Sequence, residues 1–331
     1  MTLLKPSGHG SAGPCEFRRA AQFLDPFARN RPGRRHVGTR ISSKPSSNLR
    51  NIFATAACSG NLGAMATPHQ TSHGSCPLAF SIQGRGPGLM LVHGFGGDSD
   101  VWGRVQASLA RDHTVVCVDL PGFRDGTMPP ECDGSADFLA IGASLGALAR
   151  ELGLRPCTLV GHSMGAHLTA LAVLQDPSVF RGWVVVDQPL RCGPPLAPDA
   201  WRRLEADPEG FFGGFLGAQA RDAAQKRSVV QKVLAMETRA LASYLRHLGV
   251  DDLGQLRIGL PLAVFTASAP PADLLAWSEA RAYPVTGSVR FAWFPACGHW
   301  IMLDEPEAFE SNLRDFEARL EPQLSGENNS P

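Results

Sequence analysis

The pattern Gly-x-Ser-x-Gly occurs twice in this chain of 331 residues, at Gly142-Ala143-Ser144-Leu145-Gly146 and at Gly161-His162-Ser163-Met164-Gly165. A serine so framed can act as a nucleophile when a strand turns sharply into a helix, because the strained turn lifts the hydroxyl off the top of a sheet. Context separates the two. Ser144 lies within SADFLAIGASLGALARELGL, where apolar residues recur at helical spacing and no strand precedes the first glycine. It reads as an ordinary helix residue. Ser163 follows the strand-like run Cys157-Thr158-Leu159-Val160 and leads into the helical AHLTALAVL. That arrangement of strand, turn and helix makes Ser163 the candidate nucleophile, with His162 and His167 beside it as supporting residues.

Acyl chemistry at a serine needs donors for the oxyanion, a base, and an acid to orient the base. The run Leu91-Val92-His93-Gly94-Phe95-Gly96-Gly97 is a strand entering a glycine-rich loop. The backbone N–H of Phe95 is expected to join that of Met164 in binding the oxyanion. A phosphate cradle is disfavoured for this loop, since the lysine and Ser/Thr of a P-loop are missing from it. His299, in Cys297-Gly298-His299-Trp300 after the last strand-like run, is the expected general base. Two carboxylates compete for the acid. Asp187 ends the run Trp183 to Val186, one strand beyond Ser163, and is preferred. Asp273 follows a later strand, where an aspartate commonly caps a helix.

Positioning these groups requires a sheet whose strands all end on one side. From Leu78 onward, short apolar runs alternate with helical patterns, the signature of an α/β protein with a mostly parallel sheet covered on both faces. The runs predict strands at Leu78 to Ile82, Leu89 to His93, Thr114 to Asp119, Cys157 to Val160, Trp183 to Asp187, Leu262 to Thr266 and Val289 to Phe294. Helices are expected at about 100–110, 135–152, 164–175, 272–282 and 305–320. In open sheets of this kind ligands bind outside the carboxyl ends of the strands. The interval from Pro189 to Leu260 breaks the alternation and is expected to form an inserted helical lid over about 190–260. Its Trp201, Phe211, Phe212 and Phe215 are candidates either to line an apolar pocket or to pack a small helical core.

Residues 1–75 differ in kind: Arg18, Arg19, Arg29, Arg31, Arg34, Arg35, Arg40 and Arg50 face only Glu16 and Asp25. This basic segment, rich in Pro, Ser and Gly, is expected to be mostly disordered, as a transit peptide or as an extension upstream of a start at Met65. The catalytic domain would then span 76–331. With 31 basic and 31 acidic side chains the net charge is zero, which favours a small-molecule substrate over nucleic acid or a membrane surface. No apolar run reaches the roughly 18 residues of a membrane span, and the first residues, MTLLKPSGHG, lack the apolar stretch of a secretory signal. The eight cysteines are scattered, without C-x-x-C pairs or metal-ligand spacing, which reads as reduced, cytoplasmic usage with no metal.

Taken together, LVHGFGGDSDVW, VVCVDLPGF, LVGHSMGAH and CGHWIMLDEPEAF resemble the α/β-hydrolase superfamily, in its lid-bearing, esterase-like branch, over about Leu78 to Leu320. The resemblance implies Ser163 as nucleophile, His299 as base, Phe95 and Met164 as oxyanion donors, and no cofactor. Many members carry the acid after the penultimate strand, where this chain has Thr266 and Ala269. Others place it one strand earlier in a D-Q-x-P run, similar to Asp187-Gln188-Pro189-Leu190. Relatives that open epoxides or remove halogens use a carboxylate nucleophile, which Ser163 argues against. The loop Phe123-Arg124-Asp125-Gly126 departs from the usual glycine and serine, so substrate preference does not carry over. The expected activity is hydrolysis of a small, largely apolar ester through an acyl-enzyme. Rivals are a carbon–carbon bond hydrolase, a thioesterase or amidase, a haloperoxidase-like enzyme, or a ligand receptor with a vestigial triad.

Overall fold

Valine, leucine and cysteine runs such as Val115-Val116-Cys117-Val118 have no polar face to show to water, so they are stable only in strands covered on both sides. The computed structural model describes residues 69–70, 76–124, 126, 138–190, 197–236, 238–247, 258–268, 283 and 289–325, all within one compact unit, Asn48–Pro331. Their strands are β1 (His69–Gln70), β2 (Ala79–Gln83), β3 (Gly88–Val92), β4 (Thr114–Asp119), β5 (Cys157–His162), β6 (Phe180–Val186), β7 (Leu262–Thr266) and β8 (Val289–Trp293). They form an eight-stranded sheet in the order β1-β2-β4-β3-β5-β6-β7-β8. Pairing is antiparallel at β1/β2 and β2/β4, and parallel from β4 through β8. Every residue of β3, β5 and β7 is buried, as the unbroken apolar runs require.

The helices between the strands are α1 (Gly103–Leu109), α2 (Phe138–Glu151) and α3 (Met164–Gln175). After β8 come the short α8 (Ile301–Asp304) and the long α9 (Pro306–Ser325). Helix α2 packs on α3, and α1 packs on α9. The chain runs from β3 outward to β4 and then returns past β3 to β5, so successive connections leave in opposite directions. Right-handed crossovers in opposite directions put their helices on opposite faces. They also open a crevice at the carboxyl ends of β3 and β5, the point where such sheets receive ligands. The glycine-rich loop follows β3 and Ser163 follows β5. Both candidate pieces therefore meet at the switch point.

Between β6 and β7 the described residues contain α4 (Pro198–Ala206), α5 (Pro208–Phe215), α6 (Ala223–Leu234) and α7 (Thr238–His247). This helical insertion occupies the interval that broke the alternation. Asp207 and Asp222 cap α5 and α6 through backbone N–H groups. Strand β1 lies upstream of the compositional boundary near residue 76, because pairing with β2 uses backbone groups and needs no apolar run. The helix expected at 272–282, Asp273 and the basic segment before His69 fall outside the described residues.

Candidate active site

Only three non-glycine residues have a positive φ among the described residues: Arg124 at 40°, Ser163 at 52° and Asp187 at 48°. This left-handed region is costly for side chains with a Cβ, and such strain concentrates at functional sites. Two of the three are the candidate nucleophile and acid. Their strands β5 and β6 are hydrogen-bonded neighbours, and Ser163 N–H donates to the Val186 carbonyl at 3.0 Å.

The turn at Ser163 is built by glycines that admit no methyl group. A Cβ on Gly165 would stand 2.5 Å from the His93 carbonyl oxygen and 2.6 Å from that of Val92. A Cβ on Gly94 would stand 2.6 Å from Ser163 Cβ. The elbow and the glycine-rich loop are thus in backbone contact. Gly165→Ala is expected to cost roughly 1–3 kcal/mol through overpacking, read as a lower denaturation midpoint with an unchanged slope in urea.

The expected oxyanion donors lie at this contact. Met164 is the first residue of α3, where backbone N–H groups have no intrahelical acceptor and the helix dipole favours negative charge. On the facing loop, His93 Nδ1 is 2.9 Å from the Gly94 carbonyl, which also accepts from Gly97 N–H at 3.1 Å. Leu120 N–H donates to His93 Nε2, which fixes the proton on Nδ1. Burial lowers the His93 pKa to about 4, so the ring stays neutral. Because a trans peptide sets N–H opposite C=O, anchoring the Gly94 carbonyl turns the Phe95 N–H the other way. Sequence reasoning passed over His93, although its place directly before Gly94 was a usable signal.

His299 follows β8 and its ring meets Asp187: Nδ1 lies 2.8 Å from Oδ2. The other carboxylate oxygen accepts from Ala267 N–H at 2.9 Å, with Thr266 Oγ1 at 3.4 Å. Thr266 and Ala267, at the end of the penultimate strand, thus help to hold an acid that comes from the preceding strand. Burial would raise the Asp187 carboxyl, but the hydrogen bond and charge of His299 and the Ala267 N–H outweigh it and keep it below the ordinary range. Side-chain exposures of 10% for His299 and 14% for Asp187 leave the pair largely out of water.

Of the two flanking histidines, His162 is fully buried, with Nε2 at 2.9 Å from the His299 carbonyl and its ring 4.6 Å from the His299 ring. Burial and the neighbouring His299 push its pKa well down. His162 therefore braces the loop of the candidate base from the side of the elbow. His167 Nε2 sits 3.1 Å from the Pro189 carbonyl, just after Asp187. Ser144 is fully buried within α2, in the body of a helix and not at a strand-to-helix turn. Among the described residues no group of three or more His, Cys, Asp or Glu side chains is arranged to hold a metal ion.

The insertion covers the glycine-rich loop. Phe212 is fully buried with its ring 6.0 Å from Phe95, while Trp201 and Phe211 are half-buried and Phe215 is 40% exposed. Tyr244, which sequence reasoning did not single out, stacks edge-on to Phe123 and donates from its hydroxyl to the Pro121 carbonyl at 2.9 Å. Lys232 of α6 pairs with Asp98 at 2.6 Å.

Comparison with known proteins agrees with this architecture. The model of the alpha/beta hydrolase family matches residues 89–311. The chain is 28% identical over 277 residues to a fluoroacetate dehalogenase of a Burkholderia species, covering 71% of this chain and 88% of that one. It is 27% identical over 264 residues to an sn-1-specific diacylglycerol lipase of Mus musculus, covering 70% and 80%. In three dimensions it is similar to the esterase RhEst1 from Rhodococcus sp. ECU1013, with a TM-score of 0.62 at 19% identity over 78% of this chain and 100% of the other. No helix among the described residues is long and apolar enough to cross a membrane.

Proposed function

Because the chain belongs to the alpha/beta hydrolase family, and is thus a hydrolase by kinship, we propose that it is a serine hydrolase that cleaves a small, largely apolar ester through an acyl-enzyme. One observation carries this reading: a strained serine at the elbow shares a sheet edge with a His299–Asp187 hydrogen bond of 2.8 Å. In the proposed cycle His299 removes the proton of Ser163 as its Oγ attacks the ester carbonyl. The N–H groups of Phe95 and Met164 take the negative charge of the tetrahedral intermediate. His299 then protonates the departing alkoxide, and the same base activates water to release the acid. Asp187, ionised below the ordinary carboxylate range, orients the imidazole and stabilises its charged form.

Phe95, Phe123, Phe212 and Tyr244 are buried against one another beside the glycine-rich loop, an apolar setting that accords with an apolar acyl or alkyl group. Removal of fluoride from fluoroacetate, the activity named for the Burkholderia relative, is a weaker reading, because the elbow here carries a hydroxyl and not a carboxylate. The test is product analysis on a panel of p-nitrophenyl esters of two to ten carbons, matched thioesters and anilides, a vinylogous diketone and fluoroacetate. Turnover is expected to be fastest on the esters, with no fluoride released. Turnover confined to the diketone or to fluoroacetate would overturn the ester assignment.

A further inference from the structure

The backbone of the loop that presents His299 is gripped from three directions, and two of the grips come through the helical insertion. His299 N–H donates to the carbonyl of Gln219 at 3.0 Å. Gly298 N–H donates to Asp304 Oδ2 at 2.7 Å. Asp304 is in turn held by the insertion: Gln225 Nε2 donates to its Oδ1 at 2.9 Å, and Arg221 Nη1 to its carbonyl at 3.1 Å. Gln225 is itself fixed, since its Oε1 accepts from Arg221 N–H at 2.7 Å and its own N–H is capped by Asp222 at 2.9 Å. The third grip is His162, which donates to the His299 carbonyl at 2.9 Å.

Gly298 shows how close the two segments lie. A Cβ there would stand 2.7 Å from the Gln219 carbonyl oxygen and 3.1 Å from Arg221 N. Both are backbone atoms, which cannot swing aside as a flexible side chain can. The same carbonyl accepts the His299 N–H, so pushing it away removes that hydrogen bond. Fixing both the N–H and the C=O of His299 sets its backbone torsions and hence the direction of its Cα–Cβ bond. Only the two side-chain torsions then remain for Asp187 to hold.

From this geometry we propose that the insertion serves as the mount of His299, with Gln225 and Asp304 acting as positioning residues that aim the imidazole at Asp187 and Ser163. The inference rests on the reading of His299 as the general base. It means that the segment from Gln219 to Gln225 does not swing as a free cover, because lifting it releases the base. Substrate entry is then left to other parts of the insertion. Misplacing a catalytic group by about 1 Å costs on the order of 100-fold in rate, so loosening this mount acts on the chemical step and not on binding.

The experiment measures kcat and KM on a short p-nitrophenyl ester, fluorophosphonate labelling and thermal stability for the full chain and four variants. Gly298→Ala and Gln225→Leu are each expected to lower kcat by about 10- to 100-fold, with KM changed by less than about threefold and the fold retained. Asp304→Ala should behave in the same way. Asp304→Asn should fall between the parent chain and Asp304→Ala, because its amide oxygen still accepts from Gly298 N–H while its NH2 group meets the Gln225 donor and loses that tie. Should Gly298→Ala fail to fold, Gln225→Leu decides, since it removes the ties to Asp304 and the Arg221 N–H and adds no clash at Gly298. Wild-type kcat in Gln225→Leu and Asp304→Ala, or a loss confined to KM, would overturn the mount and leave the serine hydrolase reading intact. A wild-type chain that neither labels nor turns over would instead remove the premise, and the inference with it.

Discussion

Ser163→Ala is expected to lower kcat by roughly 10⁵- to 10⁶-fold, the loss typical when a nucleophile that works as a unit with its base is removed. The methyl group fits where the hydroxymethylene was, so the elbow, which depends on Gly161, Gly165 and the positive φ at this position, is retained. Thermal stability should therefore stay near that of the parent chain, and an apolar ester should still bind. What is lost is the bond between Oγ and the acyl carbon, which no neighbouring group can replace. The internal control is Ser144→Ala. That serine is fully buried in α2 inside the same five-residue pattern, and its removal should leave turnover unchanged. A collapse of turnover in Ser144→Ala with survival in Ser163→Ala would reverse the assignment.

Asp187→Asn is expected to lower kcat by something like 10⁴-fold. One oxygen of Asp187 accepts from Ala267 N–H at 2.9 Å, and an asparagine satisfies that donor by placing its own oxygen there. Its amide N–H groups then face His299 Nδ1, which must become an acceptor. The proton moves to Nε2, and the ring can no longer take one from Ser163. KM should change little, because both carboxylate oxygens are engaged by His299 and the Ala267 N–H. The folded carboxyl titrates below its unfolded value of 3.8. Its pairing with His299 therefore adds stability above that value, and the contribution is lost as pH falls through the lower, folded one. Asp187→Asn should accordingly flatten this part of the acid stability profile. The rival acid, Asp273, lies outside the described residues, and a larger loss in Asp273→Asn would displace Asp187 from the scheme.

Much of the scaffold was legible because its cause is local. Strands β4 and β7 match the expected Thr114–Asp119 and Leu262–Thr266, since an unbroken apolar run bounded by polar residues can satisfy its backbone only inside a covered parallel sheet. The decoy at Ser144 could be set aside by periodicity, as a serine surrounded at helical spacing has no sharp turn to ride on. Strand β6 begins at Phe180, three residues before the expected Trp183, because parallel pairing with β5 extends a strand beyond its most apolar segment.

What could not be read are contacts that run through the backbone. The carbonyl of Gln219 holds His299, and any residue type at 219 supplies a carbonyl. The support that Ala267 lends to Asp187 is likewise an N–H group. Thr266 and Ala269 registered in the sequence only as a missing carboxylate, and folding brings the first of them beside the carboxylate of the strand before. Asp304 sat in plain view in the run Leu303-Asp304-Glu305-Pro306, yet nothing in its spacing told that it would cap Gly298. In the sequence His162 stands only as a support beside the serine, and its role as a brace on the His299 carbonyl depends on a pairing 137 residues away.

The central claim is that Ser163 is a nucleophile activated by His299, and covalent labelling examines it without knowledge of the substrate. The full chain is treated with a fluorophosphonate, digested, and the adduct located by mass spectrometry. A single adduct on the peptide carrying Ser163, lost in His299→Ala although the serine remains, is the predicted result. An adduct on another residue, no adduct at all, or labelling at Ser163 that proceeds equally fast without His299 would contradict the account.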